Sequence, residues 1–118
     1  TNIQNVSMLG NVHTLDLSYT LISNNDILNL KNVHTLSLSN CYFITKVYTL
    51  KNVHTLNLTE CIDVYNVSAL RNVHTLILKW CTNIQNVSML GNVHTLDLTW
   101  CTNVTDFSKL RNVKNLYY

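Results

Sequence analysis

One phrase, NVHTLxL, returns along this chain at a nearly fixed interval. It reads NVHTLDL at Asn11–Leu17, NVHTLSL at Asn32–Leu38, NVHTLNL at Asn52–Leu58, NVHTLIL at Asn72–Leu78 and NVHTLDL at Asn92–Leu98, and a degraded copy, NVKNLYY, ends at Tyr118. The step is 21 residues once and 20 residues four times. A period of this size predicts a solenoid, in which each unit buries its apolar side only against its neighbours. The fold follows from that; the function does not, because a solenoid works through its surface.

Within one unit, Leu50 to Leu70, two apolar periods meet. Leu56-Asn57-Leu58 alternates, as a strand with one face in and one face out does. Val64, Val67 and Leu70 are spaced by three, which suits a 3₁₀-like turn better than an α-helix. Each repeat therefore reads as a short strand, a tight corner at the cysteine and a compact return. Six strands are expected, near residues 13–17, 34–38, 54–58, 74–78, 94–98 and 114–118, in a single domain spanning 1–118. Parallel strands with crossovers in one direction give a right-handed coil. At about 4.8 Å per strand the sheet is roughly 25–30 Å long. The Asn row Asn11, Asn32, Asn52, Asn72, Asn92 and Asn112 precedes each strand. Asn tolerates left-handed dihedrals, so the row predicts the corner and an asparagine ladder. The extra residue of the longest repeat falls near Ser23-Asn24-Asn25-Asp26, which has the composition of a loop.

Charged residues are only 12 % of the chain, so Asn, Thr and Ser must supply the polar surface. Lys31, Lys51, Arg71 and Arg111 share one repeat position, interrupted by Gly10 and Gly91. With a net charge of +2 and no stacking aromatics beside that row, it reads as a solvated turn, and no nucleic-acid partner is expected. No run of 18 apolar residues exists, so no membrane span is expected. Cys41, Cys61, Cys81 and Cys101 are one position repeated. Parallel side chains in a stack have the wrong mutual direction for disulfides. They read as reduced structural thiols and point to a reducing, cytoplasmic compartment. The sequons at Asn5, Asn57, Asn66, Asn86 and Asn103 agree with that, because a glycan on Asn57 would block the sheet face and make a secreted origin awkward.

The frame LxxVxxLxLxxCxxIxxVxxL resembles the leucine-rich repeat, in its cysteine-containing variety. The return segments, such as Ile44–Val47 and Val104–Ser108, are similar to the short 3₁₀ type of bacterial internalin-like arrays. NVHTLxLS with a following Cys looks most like arrays encoded by large DNA viruses of protists, which would put the protein in a host cytoplasm. The resemblance implies an α/β solenoid: a horseshoe with a six-stranded parallel sheet on its concave face, 3₁₀ or irregular segments on its convex face, and protein–protein recognition. The chain departs from the family in showing no capping module. Thr1 opens within the return half of a repeat, and Thr1–Leu17 recurs unchanged at Thr82–Leu98. That identity points to recent duplication or deliberate construction, and a chain opening on Thr rather than Met to a processed or excised piece. At the far end Leu116-Tyr117-Tyr118 offers aromatics to close the core.

The histidines His13, His34, His54, His74 and His94 form one row. Identical parallel side chains rarely converge on a metal, so a structural ladder that acid weakens is expected, with no metal and no cofactor. Three outward rows make the strand face: Thr14, Thr35, Thr55, Thr75 and Thr95; then Asp16, Ser37, Asn57, Ile77, Asp97 and Tyr117; then Ser18, Ser39, Thr59, Lys79 and Thr99. The first row serves strand propensity and cross-strand bonding. Variation concentrates just after the strand, at Tyr19, Asn40, Glu60, Trp80 and Trp100. Candidate partner-binding residues are therefore Tyr19, Glu60, Lys79, Trp80 and Trp100 on the rim, with Asp16, Asn57, Ile77, Asp97 and Tyr117 on the face. No catalytic motif is present, so no enzyme is expected. Two functional readings stand: a protein-interaction scaffold whose partner is unnamed, or a structural or synthetic array that self-associates through its uncapped ends.

Overall fold

A computed structural model of the chain describes residues 9–118. Six three-residue strands follow one another in sequence order, each parallel to the next: β1 (Thr14–Asp16), β2 (Thr35–Ser37), β3 (Thr55–Asn57), β4 (Thr75–Ile77), β5 (Thr95–Asp97) and β6 (Asn115–Tyr117). The register places Leu36 on Leu56 and Leu56 on Leu76, so like stacks on like. Backbone pairing runs past both strand ends. His34 and Thr35 both donate to the His13 carbonyl, at 3.0 and 2.9 Å, and Tyr19 donates to Ser39 at 2.9 Å.

The period of three in the return has a direct physical cause. Cys41 N–H donates to the Leu38 carbonyl, Ile44 to Cys41, Leu50 to Val47 and Val53 to Leu50, all at 2.9–3.1 Å. Each of these residues is thus the end of one tight turn, and in all four pairs the acceptor is the apolar residue three positions back. The backbone satisfies itself while every third side chain turns inward. The layers Val33/Val53/Val73, Leu38/Leu58/Leu78 and Leu30/Leu50/Leu70 are essentially inaccessible to water. Short 3₁₀ segments recur at Tyr48–Leu50, Ser68–Asn72, Ser88–Leu90 and Ser108–Leu110. Asn66, Asn86 and Asp106 each accept the N–H two residues on, from Ser68, Ser88 and Ser108, at 2.9–3.1 Å. This side-chain turn leads into the 3₁₀ segment.

Three expectations change. The Ser23–Asp26 stretch is not a loop: Asn24–Ile27 is an α-helical turn running into 3₁₀ at Leu28–Leu30. Asp26 reaches back to accept from Ser23 N–H (2.8 Å) and Ser23 Oγ (3.2 Å), which holds the first turn. The left-handed corner lies elsewhere too. Positive φ occurs at Tyr19, Asn40, Glu60, Trp80 and Trp100, between 59° and 63°, and not in the Asn row. The Asn row forms no ladder either: Asn32, Asn52, Asn72, Asn92 and Asn112 are exposed and make no side-chain hydrogen bond among the described residues.

The cysteines bind the layers together. Cys61 Sγ donates to the Leu38 carbonyl of the preceding repeat at 3.1 Å, Cys41 to Leu17 and Cys81 to Leu58 likewise at 3.1 Å, and Cys101 to Leu78 at 2.8 Å. Thr20 holds the equivalent place in the first repeat, its hydroxyl donating to Leu17 at 2.7 Å. Burial pushes the Cys61 thiol up to about 12 and Cys101 to about 11. These thiols are donors, not nucleophiles. Cys61→Thr, which keeps a donor, is expected to remain more stable than the isosteric Cys61→Val by about 1–2 kcal/mol in urea unfolding. Equal midpoints would show that the thiol only fills space. Thr49 Oγ1 is the one buried side-chain oxygen among the described residues that lacks a partner. The next repeat has Ala69 there, so Thr49→Ala should raise stability by roughly 1 kcal/mol.

Candidate interaction surface

The outward face of the sheet is polar and tied down. Each Thr of the first row bonds the ring of the His before it: Nδ1 to Oγ1 distances are 3.0–3.3 Å from His13–Thr14 to His94–Thr95. Cross-strand bonding, the expected role of these threonines, occurs only at the end, where Asn115 donates to Thr95 at 3.2 Å. In the second row, Asp16, Asn57 and Asp97 use Oδ1 to accept the backbone N–H of Ser18, Thr59 and Thr99 at 2.9–3.0 Å. The hydroxyls of the same three residues add bonds of 2.5–2.6 Å. These bonds hold the Asp16 carboxyl below the usual range. A broad, shallow depression of about 620 Å³ lies over Asp16, Ser37, Asn57 and Lys79.

The rim beyond the strands is different. Each left-handed residue is the third of a tight turn, a place that favours Gly or Asn. Here it carries Tyr, Asn, Glu, Trp and Trp, at about 1–2 kcal/mol of backbone strain for each bulky side chain. Trp80 and Trp100 stack with centroids 5.1 Å apart at 17°, and both stay substantially exposed, at 43 % and 56 %. Asn40 donates to Glu60 and, at 3.0 Å, to the Tyr42 hydroxyl. Leu21, Tyr42, Phe43 and Ile62 are exposed just beyond. Sequence reasoning missed these four; the signal was available, since they sit between inward positions of the period of three.

The His rings stack face to face along the row, with centroids 4.4–4.6 Å apart and tilts of 9–15°. Among the described residues no three His, Cys, Asp or Glu side chains converge as metal ligands would. The His34 ring is shifted below its ordinary value, by loss of water first and by repulsion from His13 and His54 second.

No protein-family model and no curated protein matches the sequence. Solved structures do match. The functional domain of InlJ from Listeria monocytogenes, which includes a cysteine ladder, aligns with a TM-score of 0.69 at 17 % identity over 98 % of this chain. Internalin InlF from the same species gives 0.68 at 20 % identity, and internalin C2 gives 0.56 at 20 %, each again over 98 % of this chain. The fold is a leucine-rich repeat. The chain spans 27 %, 38 % and 66 % of the lengths of these three neighbours.

On this leucine-rich-repeat sheet the ten candidate residues fall into two groups. Asn57, Ile77, Asp97 and Tyr117 are consecutive neighbours across β3 to β6. Lys79 joins them through an ion pair with Asp97 at 3.8 Å, and Trp80 and Trp100 flank it. Glu60 stands one repeat back. Asp16 and Tyr19 lie three strand spacings, about 14 Å, from Trp80 and four, about 19 Å, from Trp100. Tyr118, by contrast, stacks on Phe107 at 4.7 Å.

The row predicts a pH dependence. The folded chain disfavours a proton on His34, so that ring's stabilising contribution is complete above about pH 6.5 and is lost as pH falls through that value toward the lowered folded one. Below about pH 4 a second loss follows, as Asp16 and Asp106, held low by bonds from Ser18 and Ser108, take up protons. The melting temperature should fall from pH 8 to pH 5; a flat profile would contradict the stacked ladder.

Proposed function

We propose that this chain is a non-catalytic protein-interaction scaffold whose partner contacts the rim Tyr19, Glu60, Trp80 and Trp100 together with Asp16, Asn57, Ile77, Lys79, Asp97 and Tyr117 on the face. The observation that carries this is the left-handed corner. Gly or Asn would relieve it, yet four of its five copies hold a larger side chain that projects at the rim. Exposed, stacked tryptophans are the residue type that dominates binding energy in protein interfaces. The Ser, His and Asp side chains recur as turn and ladder members with structural partners, which supports a non-catalytic reading. The thiols' role as hydrogen-bond donors supports a reducing, cytoplasmic setting.

Peptides selected from a displayed library on the wild-type chain test the rim. They are expected to lose binding to Trp80→Gly/Trp100→Gly by tenfold or more, about 1.4 kcal/mol. The double variant should unfold within about 2 kcal/mol of wild type, because Gly releases the strained corner. Clones that bind both proteins equally would sink the rim. A second copy of the chain is the other partner: Thr1–Leu17 repeats Thr82–Leu98, a segment that packs between neighbours on both sides. A molar mass rising with concentration in light scattering would favour such stacking.

A further inference from the structure

The edge of the solenoid opposite the aromatic rim carries a second surface. Five of the chain's eight Lys and Arg residues lie along it: Lys31, Lys51, Arg71 and Arg111 at the corners before β2, β3, β4 and β6, and Lys114 in the histidine position of the last repeat. All five are exposed, and the single ion pair among the described residues, Lys79–Asp97, is elsewhere. Lys31, Lys51 and Arg71 stand on consecutive layers, so like charges recur about every 4.8 Å with no acid between them. Gly91 interrupts the row for a local reason: a Cβ there would meet the Lys109 carbonyl at 2.6 Å. Beside each cation stands an exposed Asn without a partner, Asn32, Asn52 and Asn72, and then the stacked histidines.

We propose that this edge binds an acidic, extended polypeptide segment laid across the repeats, and that the histidine stack strengthens the binding as pH falls. The cations answer carboxylates. The Asn amides offer both donors and acceptors, which a peptide backbone uses and a polyphosphate or polysulfate, bearing acceptors only, does not. The inner imidazole faces are covered by one another, which removes the platforms that single-stranded nucleic acid needs. The groups around the stack are Lys31, Lys51, Arg71 and Arg111 from the corners, Lys114 at its end, and Asp16 and Asp97 three residues further along the strands. Cations outnumber acids there, so each proton taken up adds to a field already positive. Imidazolium rings 4.4–4.6 Å apart repel one another, and a bound anionic segment offsets that repulsion, so binding and proton uptake reinforce each other.

The test is calorimetric titration of the full chain with a synthetic oligo-aspartate of about ten residues, at pH 7.4 and pH 5.8, with circular dichroism confirming the fold at both. Oligo-aspartate should bind more weakly as salt rises, and about fivefold more tightly at the lower pH. Lys31→Gln/Lys51→Gln/Arg71→Gln should lose binding at both pH values. His34→Asn/His54→Asn/His74→Asn should bind normally at pH 7.4 and lose the gain at pH 5.8; if it fails to fold, His54→Asn alone should show a reduced gain. Trp80→Gly/Trp100→Gly should bind oligo-aspartate as wild type does, which keeps this edge distinct from the rim. Three results would overturn the proposal: no salt-sensitive binding, full binding by the triple Gln variant, or tighter binding of oligo-thymidylate or a heparin fragment of equal charge.

Discussion

A backbone amide reaching the carbonyl three residues earlier is the contact on which this molecule rests. It occurs at Cys41, Ile44, Leu50 and Val53 and again in the later repeats, and it makes the return path self-satisfying. A chain that meets its own hydrogen-bond needs every three residues can run along the outside of a thin core without a long α-helix. The parallel ladder then fixes each turn on the one before. Only with both in place can leucine settle on leucine. The cysteine joins the two systems, since its N–H closes a turn within its own repeat while its S–H reaches the carbonyl of the previous one. Burial that keeps the thiol protonated also keeps it a donor.

Much of this was legible in the sequence, because in a repeat array the period states the register directly. The six strands, the 3₁₀ returns, the stacked leucines and the reduced cysteine ladder follow from the spacing of Leu, Val and Cys. What misled was intrinsic preference. Asn next to Lys or Arg looks like a left-handed corner, whereas Trp and Tyr do not. The structure assigns the corner to Tyr19, Asn40, Glu60, Trp80 and Trp100, because the turn closing onto Cys must be tight and its position follows from the layer geometry. Ser23–Asp26 misled for a similar reason: residues common in loops are also the residues that start helices.

The surface was less legible than the fold. Variation along the repeats pointed to the tryptophan stack but passed over Leu21, Tyr42 and Phe43, which lie where the period of three leaves side chains outside. The acids of the strand face looked available in the sequence, yet Asp16, Asn57 and Asp97 spend one oxygen each on the turn that follows. Positional repetition shows where a side chain goes. Whether its hydrogen-bonding capacity is already used depends on a neighbour two residues away.

The turns ahead of the 3₁₀ segments bear on how such a chain is read for modification. Asn66-Val67-Ser68 and Asn86-Val87-Ser88 match the acceptor pattern for sugar attachment, but each Asn accepts a hydrogen bond from the Ser backbone N–H, as Asp106 does at the same repeat position, where the sequence Asp106-Phe107-Ser108 does not match. The middle residue is apolar because it fills a layer of the core. Two of the acceptor patterns in this array therefore arise as a by-product of starting a turn.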